Sequence, residues 1–274
     1  MTTMRTCLII PCYNEATRIQ SEAFAAALLA DQGLHYIFVN DGSKDDTLSV
    51  LKSFRQSQIE SLQNRIHIIS YNNNKGKSNA VRIGLQQAYL AMGGDNQAGW
   101  NLSGLELIGF ANIEADYLGF WDADLATPLE EIDWFYRFSD SERIKPALLI
   151  GSRVARLGAN IERTLFRHYS GRLFATLISQ GLGWKVHDTQ CGAKLMVPEI
   201  IPICFDKPFE TSWLFDVEIL LRLQKHFGII AESMVLEVPI RTWKDIKGSK
   251  IGWGDFIKVP YQIWHVFRSY KRTK

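Results

Sequence analysis

Residues 36–71 read YIFVNDGSKDDTLSVLKSFRQSQIESLQNRIHIISY. Tyr36 to Asn40 and Ile66 to Tyr71 are short runs rich in β-branched and aromatic residues. Thr47 to Gln56 lies between them with apolar positions at helix period. Strand, helix, strand in that order describes a parallel crossover. Working outward, Thr6 to Pro11, Tyr117 to Trp121 and Ala147 to Gly151 repeat the strand composition, while Ala16 to Asp31 and Asn79 to Ala91 repeat the helical one. The pattern predicts an α/β fold, a mostly parallel central sheet flanked by helices. In such sheets ligands collect where the carboxyl ends of the strands meet the following loops.

Beyond Gly151 the spacing predicts a long helix over 161–181, a loop from Asp188 to Lys194, a helix over Phe215 to Phe227, a strand over Ile229 to Pro239 and a terminal helix. Met92 to Ala115 interrupts the alternation with Gly and Asn, and reads as a surface insertion carrying a short helix. No linker divides the chain. Residues 1–240 are expected to form one domain, with a donor half over 1–130 and an acceptor half over 131–240, followed by a basic amphipathic segment over 241–274.

With 274 residues, 46% of them hydrophobic, the chain can bury an ample core. A net charge of +2 argues against nucleic acid as partner. The four cysteines show neither a disulfide framework nor zinc-ligand spacing, which fits a reducing cytoplasm. No signal-peptide pattern follows Met1, and no run reaches the roughly 18 apolar residues of a membrane span. Membrane work is therefore expected from the surface. From Trp243 to Lys274, eight Lys or Arg face two Asp. In the terminal helix Lys258, Gln262, His265 and Ser269 form a narrow polar stripe amid apolar positions, which suits a bilayer interface or, equally, an oligomer contact.

The strand ends carry the chemistry. Asn40-Asp41-Gly42 follows the second strand, where Asp41 suits hydrogen bonds from a nucleoside and Gly42 a backbone passing close to a ligand. Asp45, Asp46 and Thr47 read as turn and cap residues. Lys75 and Lys77 open the third helix around Gly76, a favourable place for phosphate. Asp122-Ala123-Asp124 closes an apolar strand with two acids expected on one side, and two such carboxylates call for a cation, Mg²⁺ or Mn²⁺ with diphosphate oxygens. Arg163 and Arg167 stand i, i+4 on the long helix, with Ser170 on the same face and Arg153 after the fifth strand; these forks suit phosphate or carboxylate. The stretches around Gln190 and from Trp213 to Glu218 place amides and acids, Asp216 among them, between bulky apolar residues, as a working buried acid would need.

Together these strings resemble the family 2 inverting glycosyltransferases of GT-A fold: Pro11-Cys-Tyr13-Asn-Glu15, the Asp-Gly-Ser turn at 41–43, the Asn-Lys-Gly-Lys turn at 74–77 and Asp-Ala-Asp at 122–124 stand in the family's order. Gly-Ser-Arg at 151–153, Arg163 and Arg167, DTQCGAKL at 188–195, WLFDVE at 213–218 and WKDIKGSK at 243–250 look like the dolichyl-phosphate β-glucosyltransferase branch, kin of the dolichyl-phosphate mannose synthases. The resemblance implies a UDP-sugar at Pro11, Tyr13, Glu15 and Asp41, a metal at Asp122 and Asp124, and a polyprenyl-phosphate acceptor. The mannose synthases carry a Gln metal ligand where this chain has Ala126.

The expected function is a metal-dependent, inverting hexosyltransferase that moves a hexose, glucose foremost, from a UDP-sugar to a polyprenyl or dolichyl phosphate, peripherally at the cytoplasmic face of a membrane. A lipid monophosphate is already ionised near neutral pH and needs cations rather than a base. Arg153, Arg163, Arg167 and Lys250 are the candidates to hold it, with Ser170, Gln190 and Trp213 beside them. Transfer to a glycan hydroxyl would instead make Asp216 or Glu218 the base. A sugar-1-phosphate nucleotidyltransferase should begin with a Gly-rich basic loop, whereas 11–15 is acidic. A nucleotide-sugar sensor should not release UDP slowly with Mn²⁺.

Overall fold

The computed structural model describes residues 4–96, 99–162, 165–245 and 253–271. The first half runs β1 (Thr6–Cys12), α1 (Ser21–Ala30), β2 (Leu34–Asp41), α2 (Thr47–Gln56), the short α3 (Glu60–Gln63), β3 (Ile66–Tyr71), α4 (Lys77–Ala91), β4 (Glu106–Ile108) and β5 (Tyr117–Trp121). The second half runs α5 (Glu131–Ser141), β6 (Leu148–Ser152), β7 (Asn160–Glu162), α6 (Leu165–Leu182), β8 (Ala193–Met196), α7 (Ile201–Cys204), α8 (Phe215–Phe227), β9 (Val235–Pro239), β10 (Thr242–Lys244) and α9 (Trp253–Lys271).

Eight strands form one sheet in the order β4-β3-β2-β1-β5-β8-β6-β9. β1, β2, β3 and β5 are parallel, and β6 and β9 share their direction because each of the steps β5 to β8 and β8 to β6 is antiparallel. Only β8 and the edge strand β4 run against the rest. The inner strands are buried on both faces, which is why they read as continuous apolar runs rather than alternating ones. One core lies between the sheet and α4, α6, α8 and α9, the other between the sheet and α1, α2 and α5. The expected α/β sandwich of helix, sheet and helix layers is thus the observed one. β7 and β10 make a separate parallel pair, with Ile161 opposite Trp243.

Four local expectations change. The first helix begins at Ser21, not Ala16, because side chains of the 43–47 turn take the backbone N–H groups that a helix start would leave open. Asn14 N–H donates to Ser43 Oγ, Glu15 N–H to Thr47 Oγ1 and Ala16 N–H to Asp45 Oδ2. Ile161 and Glu162 are strand rather than helix, since the backbone of 160–162 is paired with β10, and helix α6 is described over Leu165–Leu182. Residues 228–234 are a 3₁₀ helix with Ile229 fully exposed, and the strand is confined to the five residues that find a partner in β6. The insertion holds no helix among the described residues; it lays β4 along β3 and packs Trp100 on Tyr89.

Candidate active site

The carboxyl ends of β1, β2, β5 and β6, the amino end of β8 and the first turns of α4 and α8 surround one cleft of about 1020 Å³. Pro11, Tyr13, Glu15 and Asp41 line it from β1 and β2, and Lys77, Asp122, Ala123 and Asp124 stand opposite. Arg153, Gln190, Trp213 and Asp216 line it further on. The sequence's scattered motifs therefore converge. Gly42 and Lys75 do not line the cleft. At Gly42 the left-handed φ of +62° serves the chain's own turn, since a Cβ there would lie 2.5 Å from the backbone of Asn73 and Asn74. Lys75 instead stacks its ammonium over Tyr71, 5.1 Å from the ring centre.

Arg163 and Lys250 lie outside the described residues, as do the side chains of Arg167 and Ser170, whose backbone belongs to α6. Arg153 is not a free phosphate fork. Its Nε and Nη2 donate to the two Asp188 oxygens at 2.7 and 2.8 Å, and its backbone N–H adds a third bond to Asp188. Desolvation pulls the Arg153 pKa down, but the Asp188 charge and hydrogen bonds outweigh it and hold the guanidinium charged. It enters the cleft as half of an ion pair, stacked over Trp243. Glu218 is no base candidate: fully buried, it accepts from the backbone N–H groups of Glu210 and Thr211 and from Tyr270 Oη, and so ties the 210–211 turn to α8 and α9.

Asp41 is 2% exposed and organises the turn beside it, accepting from the N–H groups of Lys75 and Gly76 and from Asn74 Nδ2 at 2.7–3.0 Å. Burial raises its pKa, against the pull of those hydrogen bonds. Strand β5 ends at Trp121, so Asp122 and Asp124 project from the following turn, which closes with Leu125 at φ +53°. Asp122 pairs with the Lys77 ammonium. Its backbone N–H donates to the Gly192 carbonyl, and its carboxylate rests so close to Gly192 that a Cβ there would meet Asp122 Oδ2 at 1.8 Å. Only glycine at 192 leaves room for that carboxylate. Asp124 accepts from the Ala126 N–H, and its pKa is raised by burial and by the neighbouring Asp122 charge.

Sequence reasoning missed Arg18 and Lys194. Arg18 Nε lies 2.9 Å from Glu15 Oε2 and its Nη2 lies 3.7 Å from Asp124 Oδ2, so it lines the cleft from the loop after β1. Its place three residues after Glu15 was the available signal. Lys194 is fully buried on β8, where its ammonium donates to Asp216 Oδ1 and the Cys191 carbonyl. A lysine in an apolar run, Ala193 to Met196, was the signal there.

Residues 7–90 match the family described as Glycosyl transferase family 2. Dolichyl-phosphate beta-glucosyltransferase of Saccharomyces cerevisiae is 28% identical over 258 residues, covering 89% of this chain and 68% of the yeast protein. The chain is a glycosyltransferase whose residues 7–90 carry the family 2 match. The human dolichyl-phosphate beta-glucosyltransferase is 26% identical over 284 residues, 94% of the chain and 70% of that protein. Glucosyl-3-phosphoglycerate synthase from Mycobacterium tuberculosis, solved with UDP, shares the fold with a TM-score of 0.61 at 14% identity, over 97% of this glycosyltransferase and 80% of that chain. The same synthase has been solved with Mn²⁺, UDP and glucosyl-3-phosphoglycerate. The GT-A fold expected from the motifs is the fold of this glycosyltransferase.

Proposed function

We propose that this glycosyltransferase moves glucose from UDP-glucose to a polyprenyl phosphate, of which dolichyl phosphate is one, at a membrane surface. The observation that carries the proposal is the continuity of one cleft. Its lining includes the charged Asp122, Asp124, Lys77, Arg18, Arg153 and Asp188 together with the apolar side chains of Phe174, Ile178 and Val186. An acceptor that is phosphate at one end and hydrocarbon at the other fits that combination of surfaces. The names of the curated relatives support the same acceptor and sugar. Among the described residues no helix is long and apolar enough to cross a membrane.

A divalent metal fits the site. Asp122 and Asp124 are both partly accessible from the cleft, each raises the local negative charge felt by the other, and Asp122 already holds a cationic partner. Among the described residues no group of three His, Cys, Asp or Glu is placed to hold a metal, and Ala126 supplies only a backbone N–H, so diphosphate oxygens and water would complete the shell. Mg²⁺ or Mn²⁺ held there would neutralise the charge that develops on the departing UDP. The chain's own residues do the rest. Pro11, Tyr13 and Glu15 border the nucleotide, and the Asp41-braced turn presents the start of α4 to the diphosphate. The acceptor phosphate is the nucleophile and arrives ionised, so Arg163, Arg167 and Lys250 are proposed to orient it rather than to deprotonate it, for inversion at the anomeric carbon.

Incubation with radiolabelled nucleotide sugars and a panel of polyprenyl phosphates tests this. Label from UDP-glucose should enter the organic phase with metal present. Label confined to a water-soluble glycan would overturn it, and would turn attention to Asp216, whose cleft-lining carboxyl has its pKa raised by burial against the pull of Lys194.

A further inference from the structure

We propose that Lys77 and Arg18 are built-in counter-cations of the Asp122–Asp124 pair, which make the chain take its divalent ion together with a nucleoside diphosphate and not before it. The inference rests on the reading of those carboxylates as the metal site. It assigns the two cations a role beyond contact with phosphate.

Lys77 is the first residue of α4, and its ammonium is paired with Asp122 Oδ1. Arg18 spans Glu15 and Asp124, reaching Asp124 Oδ2 with Nη2 at 3.7 Å. Both side chains are partly exposed, 41% and 32%. Of the other cations nearby, Lys194 is fully buried between Asp216 and the Cys191 carbonyl, and Arg153 is matched to Asp188.

A lone divalent ion arriving at these carboxylates must therefore displace an ammonium and approach a guanidinium, and like charges at such range repel strongly in a half-buried cleft. A diphosphate reverses the balance. An ammonium at a helix start and an arginine fork are both suited to phosphate oxygens. When the diphosphate takes Lys77 and Arg18, the carboxylates are released to the metal, and the charges of metal and diphosphate offset each other. Scarcity of ligands would also weaken binding of the bare ion, but it predicts a different response: removing a competing cation should tighten binding, whereas ligand scarcity is indifferent to it.

The test is Mn²⁺ binding to the whole purified chain, read from the electron paramagnetic resonance signal of free Mn²⁺, with and without UDP. The wild-type protein should bind Mn²⁺ at least about tenfold more tightly with UDP than without. Lys77→Met should tighten Mn²⁺ binding without UDP by about tenfold while weakening UDP, so that the coupling shrinks. Arg18→Gln, on a different element, should move Mn²⁺ in the same direction and serves as the independent reading if Lys77→Met alters the melting temperature. Unchanged or weaker Mn²⁺ binding without UDP in both variants overturns the proposal. Asp122→Asn separates the two layers: if it leaves Mn²⁺ binding with UDP unaltered, the metal-site reading itself has failed.

Discussion

At the scale of single residues, charge burial decides what the site tolerates. Lys194 and Asp216 are a buried pair with one further carbonyl partner, and removal of one member leaves the other unpaired in the interior. Lys194→Met is expected to lower stability by about 3–5 kcal/mol, and addition of Asp216→Asn in the same chain to recover part of that loss. Urea unfolding midpoints of the three proteins check it. A midpoint for Lys194→Met equal to wild type would mean that the pair contributes nothing. Gly192 shows the same principle in steric form, because its missing Cβ is the space that the Asp122 carboxylate occupies.

At the scale of elements, helix α9 has a buried face and an exposed one. Val259, Ile263 and Val266 are buried against the domain, whereas Tyr261 and Trp264 are 64% and 53% exposed, 5.9 Å apart between ring centres, with Arg268 stacked on Trp264. Aromatic rings beside a cation are suited to the headgroup layer of a bilayer. Tyr261→Ser with Trp264→Ser is expected to weaken partition onto anionic vesicles by about tenfold or more, since each exposed ring loses apolar area that the lipid would cover. The thermal midpoint should stay near wild type because the buried face is untouched. Vesicle sedimentation measures the first and calorimetry the second; unaltered partition would assign this face elsewhere.

At the scale of the whole molecule, stability should depend on two histidines remote from the cleft. His35 and His67, on β2 and β3, stack with ring centres 6.0 Å apart. Burial lowers both pKa values, that of His35 to about 4, with the His67 and Arg65 charges adding to it. The unfolded chain takes up these protons near pH 6.5, whereas folded His35 does so only near pH 4. Stability is therefore lost as pH falls through that window, by about 1–2 kcal/mol between pH 7 and pH 5 from His35 alone. Denaturant unfolding at the two pH values should show a smaller difference in His35→Phe than in wild type; equal differences would remove His35 as the cause.

The sequence by itself determined the fold class, the parallel direction of the first strands and the identity of several charged groups in the cleft, because strand runs, helix periods and motifs such as Asp122-Ala123-Asp124 are local properties of the chain. The tertiary structure decided the partners. That β8 runs antiparallel through the middle of the sheet follows from long-range pairing with β5 and β6, which no local pattern encodes. That the helix does not begin at Ala16, and that 14–16 is pinned loop, follows from side chains about thirty residues away. Asp41 and Arg153 read in sequence as open hydrogen-bonding groups; in space Asp41 braces the 74–76 turn and Arg153 is matched to Asp188. Whether a charged side chain is available to a ligand depends on which opposite charge the fold brings beside it. For Asp122, that neighbour is Lys77.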